Sequence, residues 1–304
     1  MALFNLENEK LNYIKEEPFK LEKEIQNLCE KNMQELLHCE FVKTEFVIEN
    51  FRIDSLGFDK TTSSFVIIEY KRDKNFSVID QGYAYLSLML NHKSDFILEY
   101  NETTGKNLKR NDIDWTQSKV VFIAPSFTTY QREAIAFKDL PIELYEIKKY
   151  ANKTISFTQI ITKNAAESIK TISKSNEELE AVNKEIKVYT EWEKIEFGSQ
   201  SIQELYEKLK TMILNIGDDI SIKPKKLYIA FLRKTNFCDI NIQKNQIKIW
   251  LNVSKGNISD SKGILRDVSN IGHHGNGDYE LNIDSDSDIE YIVSLIRQSY
   301  NLCE

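Results

Sequence analysis

A short apolar run that ends in two charges constrains the fold of this chain more than any other feature. The run reads FVIIEYK over residues 65–71, and its β-branched and aromatic side chains are typical of a strand buried in a sheet. Because side chains alternate between the two faces of a strand, Glu69 and Lys71 project from one face, roughly 6.6 Å apart along the strand. We expect this strand to be the second half of a hairpin over residues 51–71, with a polar site at its end.

The first strand of that hairpin supplies a second carboxylate. A turn centred on Thr61 and Thr62 places Asp54 directly opposite Glu69, and opposed residues share a face with Cβ atoms about 4.5–5.5 Å apart. A slip of one residue in this register would send Asp54 to the other face. Two carboxylates this close repel each other unless a cation lies between them. Oxygen ligands favour Mg²⁺ or Mn²⁺ over zinc, and Lys71 could then hold or activate a water beside the metal.

The spacing of these residues resembles a known nuclease signature. Asp54, fourteen further residues and then EYK at 69–71 resemble the D…(D/E)xK signature of the PD-(D/E)XK nuclease superfamily. The resemblance covers residues 15–160, and the order of elements is similar to that of the NucS-like and Holliday-resolvase-like branches. Ile53 stands where a proline often precedes the aspartate in that superfamily. The resemblance implies a restriction-endonuclease-like α/β core with a mixed central sheet, and a Mg²⁺- or Mn²⁺-dependent hydrolase that cleaves phosphodiester bonds in DNA.

The resemblance also implies a role for each motif residue. Asp54 and Glu69 would bind the metal through carboxylate oxygens, with the backbone carbonyl of Tyr70 as a third ligand. Lys71 would orient the attacking water and lower its pKa.

Two predicted helices complete the site. The run LEKEIQNLCEKNMQELL at 21–37 has apolar residues at helical spacing, and Glu22 lies close to the apolar stripe. In the resembling families an acidic residue at this place reaches the metal or its water, and Glu24 is the reserve candidate; solvation of the helix surface explains both glutamates equally well. A second helix over residues 76–90 carries Gln81, which could bind the metal's water or the scissile phosphate, or could be a surface amide.

The rest of the first predicted domain, residues 1–160, alternates strands and helices, which is typical of an α/β sandwich. Residues 1–20 read as a polar, loosely ordered lead-in. The predicted strands are 41–49, 95–100, 119–124 and 142–147, with a helix over 130–137.

A second, smaller α+β domain is predicted over residues 198–304, after a polar, partly helical linker over 161–197 that includes an exposed helix at 176–188. The predicted elements of this domain are a helix at 202–214, a strand at 227–231, a hairpin that pairs Ile240 and Ile242 with Ile247 and Ile249, a strand at 279–283 and a helix at 288–300. The domain resembles an uncharacterised family labelled "predicted transport protein". For His273 and His274, a glycine-rich turn is favoured over a metal or phosphate site.

Composition limits the partners and the compartment. Lys and Arg number 40 against 47 Asp and Glu, a net charge of −7, so a nucleic-acid partner would require a local positive groove. No apolar run approaches the roughly 20 residues of a membrane span, which argues against transport and predicts a cytoplasmic protein. The four cysteines are scattered without a CxxC pair and are expected to be reduced. The resemblance adds the expectation of a homodimer, because related nucleases often pair two sites.

Two other interpretations stay open. The first domain could be a catalytically inactive nuclease fold that binds nucleic acid or a protein partner. Alternatively, Glu69 and Lys71 could form an ordinary salt bridge at a strand end, with no metal and no cleft.

Overall fold

The computed structural model describes residues 2–72, 76–137, 139–161 and 177–303, the last range without the side chains of residues 177 and 178. The chain divides into two compact units, Met1–Val188 and Tyr189–Glu304. The division falls inside the stretch predicted as a linker, so that stretch is shared between the two units.

The first unit alternates strands and helices. Its elements in chain order are β1 (Leu3–Glu7), β2 (Lys10–Ile14), β3 (Glu16–Glu17), α1 (Glu22–Lys31), α2 (Met33–Leu37), β4 (Glu40–Ile48), β5 (Phe51–Asp59), β6 (Ser64–Tyr70), α3 (Val78–Asn91), α4 (Lys93–Thr104), β7 (Lys119–Ala124), α5 (Thr129–Ala134), β8 (Ile142–Tyr150), β9 (Ile155–Gln159) and α6 (Glu177–Glu185).

A mixed sheet forms the centre of this unit. Its strand order is β3-β8-β7-β6-β5-β4, with β9 also paired to β8; β6, β7 and β8 run parallel and the other pairs are antiparallel. Ile68 of β6 shares a core with Ile25 of α1 on one face, whereas Ile67 shares a core with Leu86 of α3 and Phe96 of α4 on the other. The predicted α/β class with a mixed central sheet is confirmed.

The hairpin at the centre of the sequence argument forms with the predicted register. β5 and β6 pair from Asp59↔Ser64 to Ser55↔Ile68. This pairing corresponds to a turn centred on Thr61 and Thr62, whose backbone N–H groups donate to the carboxylate of Asp59. Continued by one residue, the register brings Asp54 opposite Glu69.

The strand predicted over residues 95–100 is wrong, because these residues belong to helix α4. Phe96 and Tyr100 are buried four residues apart while Leu98 between them is exposed, which is helical and not strand periodicity. Gly105, in the left-handed conformation with φ 67°, ends the helix.

The loosely ordered lead-in predicted over residues 1–20 is also wrong. Residues 3–14 form a two-stranded hairpin, β1–β2, that is separate from the central sheet. Asn8 and Glu9 at its turn both have positive φ, as tight hairpin turns require. The turn lacks the Asn-Gly or Asp-Gly pair that usually announces such a hairpin in a sequence.

The helix predicted as exposed over residues 176–188 lies partly outside the described residues, and its described part, α6, is amphipathic. Val182 and Ile186 are buried in the core shared with α3, and the hydroxyl of Tyr83 donates to Oδ1 of Asn183 at 2.9 Å. The helix therefore packs as part of the first unit.

The second unit is an antiparallel sheet with helices on one face. Its elements are α7 (Glu191–Ile195), α8 (Gln200–Leu214), β10 (Ser221–Pro224), β11 (Ile229–Leu232), β12 (Asn236–Ile242), β13 (Ile247–Leu251), β14 (Arg266–Asp267), β15 (Tyr279–Ile283) and α9 (Ile289–Leu302). The strand order is β10-β11-β12-β13-β15-β14, and Ile240↔Ile249 and Ile242↔Ile247 pair as predicted. Across the described part of the whole chain, no helix is long and apolar enough to span a membrane.

Candidate active site

The site forms where β5 and β6 stop pairing through their backbones. Beyond Ser55↔Ile68, the backbone N–H of Asp54 donates to Oε1 of Glu69 at 3.1 Å. In return, the backbone N–H of Tyr70 donates to Oδ2 of Asp54 at 3.1 Å. Two carboxylates thus take the places that backbone carbonyls would hold in a regular ladder. The strand ends are held together by acidic side chains.

A local irregularity in β4 and β5 coincides with the end of the β5–β6 ladder. β4 pairs with β5 at Thr44↔Ser55 and Phe46↔Ile53, and Glu45 between them has a left-handed backbone with φ 49°. Ser55 donates to a side chain of α1, whereas Ile53, two residues earlier, lies in the core on the α3 side. The alternation of side chains between the two faces of β5 is therefore broken at Asp54. The carboxylate of Asp54 accepts a hydrogen bond from the backbone of β6.

Glu69 is the centre of the hydrogen-bonded group. Its side chain is 2% exposed, and its Oε2 accepts from Nζ of Lys71 at 3.1 Å and from Nε2 of Gln81 at 3.3 Å. Gln81 also donates to the hydroxyl of Tyr85 at 3.3 Å, one helical turn further along α3. The structure brings Asp54, Glu69, Lys71 and Gln81 together.

Both central carboxyls have raised pKa values. Burial is the largest cause for Glu69, whose pKa is raised further by the negative charge of Asp54 and held back by Lys71. Burial likewise raises the pKa of Asp54, and the charge of Glu22 adds to the effect. Each carboxylate is therefore costly to keep ionised here, and an added cation would relieve that cost.

Glu22 lies near this group but outside its hydrogen bonds. It is exposed at the first position of α1, and its Oε1 accepts from the backbone N–H of Arg72 at 3.0 Å. The reserve candidate Glu24 accepts from the backbone N–H of Lys20 at 2.9 Å, at the start of the same helix. Of the two glutamates, Glu22 is the one whose charge acts on Asp54.

Two residues of α1 that hydrogen-bond to β5 next to the site were not predicted from the sequence. Gln26, 5% exposed, donates from Nε2 to the backbone carbonyl of Asp54 at 2.8 Å and to Oε1 of Glu30 at 2.9 Å. Glu30 in turn accepts from Oγ of Ser55 at 2.7 Å. Glu22, Gln26 and Glu30 recur every four residues on one side of the helix, a spacing that could have indicated a polar face directed at the strands.

The donor chemistry suits a hard divalent cation. A buried carboxylate, Glu69, and a half-buried one, Asp54, both with raised pKa values, provide together with a third nearby the oxygen ligands that Mg²⁺ and Mn²⁺ prefer. Within the part of the chain that the structure describes, however, no group of three or more His, Cys, Asp or Glu side chains is already arranged around a metal position. Asp54 and Glu69 would hold the ion, and the ligand role of the Tyr70 carbonyl stays a prediction.

The two adjacent histidines of the second unit lie in a glycine-rich turn region. His273 contacts backbone carbonyls with both ring nitrogens, Ile271 at 2.7 Å and Gly277 at 2.8 Å. Asn276 contacts the buried carboxylate of Asp239 through its backbone N–H and its side chain, both at 2.8 Å. These contacts give His273 and the turn a structural role.

The fold and the site together define a two-unit protein with a mixed α/β first unit and a pair of carboxyls, one buried and one half-buried, where two strands stop pairing. An uncharacterized protein of Haemophilus influenzae is 48% identical over 299 residues, which cover 98% of this chain and 99% of the relative. The chain belongs to the same protein family. Residues 193–303, within the second unit, match the model of a domain of unknown function, DUF5655.

Two solved structures show a partial likeness. One is a repair endonuclease from Pyrococcus abyssi, with 22% identity, a TM-score of 0.23, and coverage of 40% of this chain and 45% of that chain. The other is EndoMS in complex with double-stranded DNA, with 18% identity, a TM-score of 0.24, and coverage of 43% and 47%. Each likeness spans less than half of the chains compared.

Proposed function

We propose that the chain is a metal-dependent nuclease of the PD-(D/E)XK type that hydrolyses phosphodiester bonds in DNA. The proposal rests on one observation: Asp54, Glu69 and Lys71, spaced as in the D…(D/E)xK signature, converge where β5 and β6 separate. The chain has no need to build this arrangement for stability, because a buried and a half-buried carboxyl that both have raised pKa values are costly. Such a cost is typical of functional sites.

Each side chain has a part in the proposed reaction. A bound Mg²⁺ or Mn²⁺ would supply charge neutralisation at the phosphate and a more acidic water. Asp54 and Glu69 would hold the ion, and Glu22 would bind its water. Lys71, whose Nζ lies 3.1 Å from Glu69, orients the attacking water. Gln81 steadies the scissile phosphate through its amide N–H, which donates to Glu69 at 3.3 Å in the free protein.

Positive charge near the site supports a phosphate partner despite the net charge of −7. The guanidinium of Arg52 is 64% exposed, and together with Lys71 it lowers the pKa of the neighbouring Asp54 carboxyl, partly offsetting the effect of burial. An exposed arginine two positions before the proposed metal-binding aspartate is suited to contact the DNA backbone.

A cleavage assay tests the proposal. The purified full chain is incubated with labelled duplex, single-stranded, flap, mismatch and junction DNA, and with RNA, in Mg²⁺, Mn²⁺ or EDTA. We expect cleavage of at least one DNA substrate with either metal and none in EDTA. Glu69→Ala and Lys71→Ala should abolish it while circular dichroism stays unchanged. Cleavage that persists in EDTA, or undiminished in both variants, contradicts the proposal.

A second candidate is a binding module without catalysis. It is favoured by the absence, among the described residues, of a preformed cluster of three metal-ligating side chains. A protein that binds DNA but cleaves none of these substrates in either metal would have this function.

A further inference from the structure

The β1–β2 hairpin carries an apolar face that is left exposed by the described residues of its own unit. Phe4 pairs with Tyr13, and Leu6 pairs with Leu11. Because cross-strand partners and residues two apart share a face, all four side chains point the same way. They are 48%, 63%, 70% and 66% exposed in the order Phe4, Tyr13, Leu6 and Leu11.

This exposure is unusual for so small an element. A two-stranded hairpin is marginally stable in water unless its apolar face packs against something. At about 200 Å² for a large apolar side chain, the four exposed fractions leave about 500 Å² of apolar surface, near the upper end for the largest patch on a monomer. Two such faces in contact would bury about 1,000 Å², which meets the lower limit for a specific protein interface.

The pattern of the face is self-complementary. The rings of Phe4 and Tyr13 pack edge to face with centroids 5.7 Å apart, and the two leucines form a second, neighbouring pair. A second copy turned about a two-fold axis through the centre of the face would lay its aromatic pair on the leucine pair of the first copy. Such isologous contacts are the usual way in which soluble chains form dimers.

The charges of the hairpin argue against a nucleic acid or an anionic lipid as the occupant. Glu7 and Lys10 pair with each other on the opposite face, together with Asn5 and Asn12. The four positions of the apolar face carry no cation, whereas phosphate-bearing partners are held chiefly by lysine and arginine.

We propose that this face is the contact surface between two copies of the chain, which associate as a two-fold dimer through their β1–β2 hairpins. The inference is independent of the proposed catalytic function, since it uses no residue of the acidic site.

Light scattering coupled to gel filtration of the full chain, over a range of micromolar concentrations, tests this inference. We expect twice the chain mass for the natural sequence and a single chain mass for Leu11→Glu. Leu11→Gln, which is uncharged, should weaken the dimer by at least about tenfold in its dissociation constant, the change that 1.4 kcal/mol produces. The matched control is Leu98→Glu, a leucine of α4 that is 56% exposed, and this variant should remain dimeric.

Two results would overturn the inference. A natural chain that is monomeric at every concentration overturns the inference, whether or not it binds DNA or lipid vesicles. A dimer that both Leu11 variants retain also overturns it, since the contact would then lie elsewhere. Thermal unfolding of each variant shows whether it is folded. If Leu11→Glu fails to fold, the comparison of Leu11→Gln with the natural chain decides.

Discussion

Gln26 of α1 holds the backbone of Asp54 in place through a hydrogen bond of 2.8 Å from its side-chain amide to the aspartate's carbonyl. The amide is buried, and it lies on the side of the sheet away from Glu69, Lys71 and Gln81. Helix α1 therefore fixes the position at which β5 leaves its partner strand, and the acidic pair depends on that position.

Gln26→Leu tests this link. The change leaves the buried carbonyl of Asp54 without its donor, so we expect the free energy of unfolding to fall by about 1–3 kcal/mol. Divalent-dependent cleavage should fall with it, because the aspartate is less well fixed. Urea denaturation of the full chain measures the first effect. The control is Asn27→Leu, an exposed neighbour on the same helix, which should change stability by less than about 0.5 kcal/mol. Equal losses in the two variants would contradict the role of Gln26.

Lys71→Met keeps the length of the side chain and removes its charge. We expect cleavage to fall by about 100-fold or more, the usual contribution of a positioned proton-transfer group. The matched control is Lys23→Met, which removes an exposed lysine that pairs with Glu45 at 2.7 Å. Initial rates at saturating Mn²⁺ measure the effect. Rates that fall equally in the two lysine variants would indicate general charge attraction and no specific role for Lys71.

Asp239 makes the stability of the second unit depend on pH. Burial raises the pKa of this carboxyl from its ordinary value of 3.8 to about 6, and the hydrogen bonds from Asn276 oppose this rise. Because the native pKa is higher than the unfolded one, the stabilising contribution is complete below the unfolded pKa and is lost as pH rises through 6. Relative to that of Asp239→Asn, the free energy of unfolding of the natural chain should fall by about 3 kcal/mol between pH 3.5 and 7, at about 1.4 kcal/mol per unit of pKa.

Hydrogen exchange of the β12 and β13 amides, compared between the natural chain and Asp239→Asn at each pH, measures this effect. The comparison at equal pH cancels the change in intrinsic exchange rate. A difference between the two proteins that does not vary with pH would show that Asp239 titrates normally.

Gly82 allows helix α3 to lie directly on the sheet. A Cβ at this position would come within 2.4 Å of Cδ1 of Ile142 on β8. Gly82→Ala should therefore destabilise the first unit by about 1–3 kcal/mol through overpacking, even though alanine favours helices. Adding Ile142→Val removes the clashing methyl and should restore part of the loss. Thermal unfolding of the single and double variants measures this, and no recovery in the double variant would mean that the contact is not the cause.

The sequence predicted the parts of this structure in which local pattern and tertiary structure agree. The register of β5 and β6 follows from alternation and a recognisable turn, and the hairpin of β12 and β13 follows for the same reason. The sequence predicts a strand in place of helix α4 because Phe96, Ile97 and Leu98 are contiguous and apolar. The fold shows that Leu98 faces outward.

The surroundings of Asp54 and Glu69 are harder to predict from the sequence. The left-handed Glu45, which coincides with the break in alternation at Asp54, has no residue signature, because glutamate seldom adopts this conformation. The support from Gln26 required knowledge of which face of α1 meets β5. The position of Gln81 near the site was implied by the family resemblance, in which a helix that begins with glutamine follows the ExK strand, and Gln81 does contact Glu69.

Calorimetric titration of Mn²⁺ into the full chain tests the central claim most directly, because it measures the acidic site without requiring a substrate. We expect binding at pH 7.5 that Asp54→Asn and Glu69→Gln each abolish and that Asp239→Asn retains. The affinity should fall as the pH is lowered, since protons compete for carboxylates whose pKa values are raised. Absence of binding by the natural chain, or equal affinity in all four proteins, would contradict a metal site at Asp54 and Glu69.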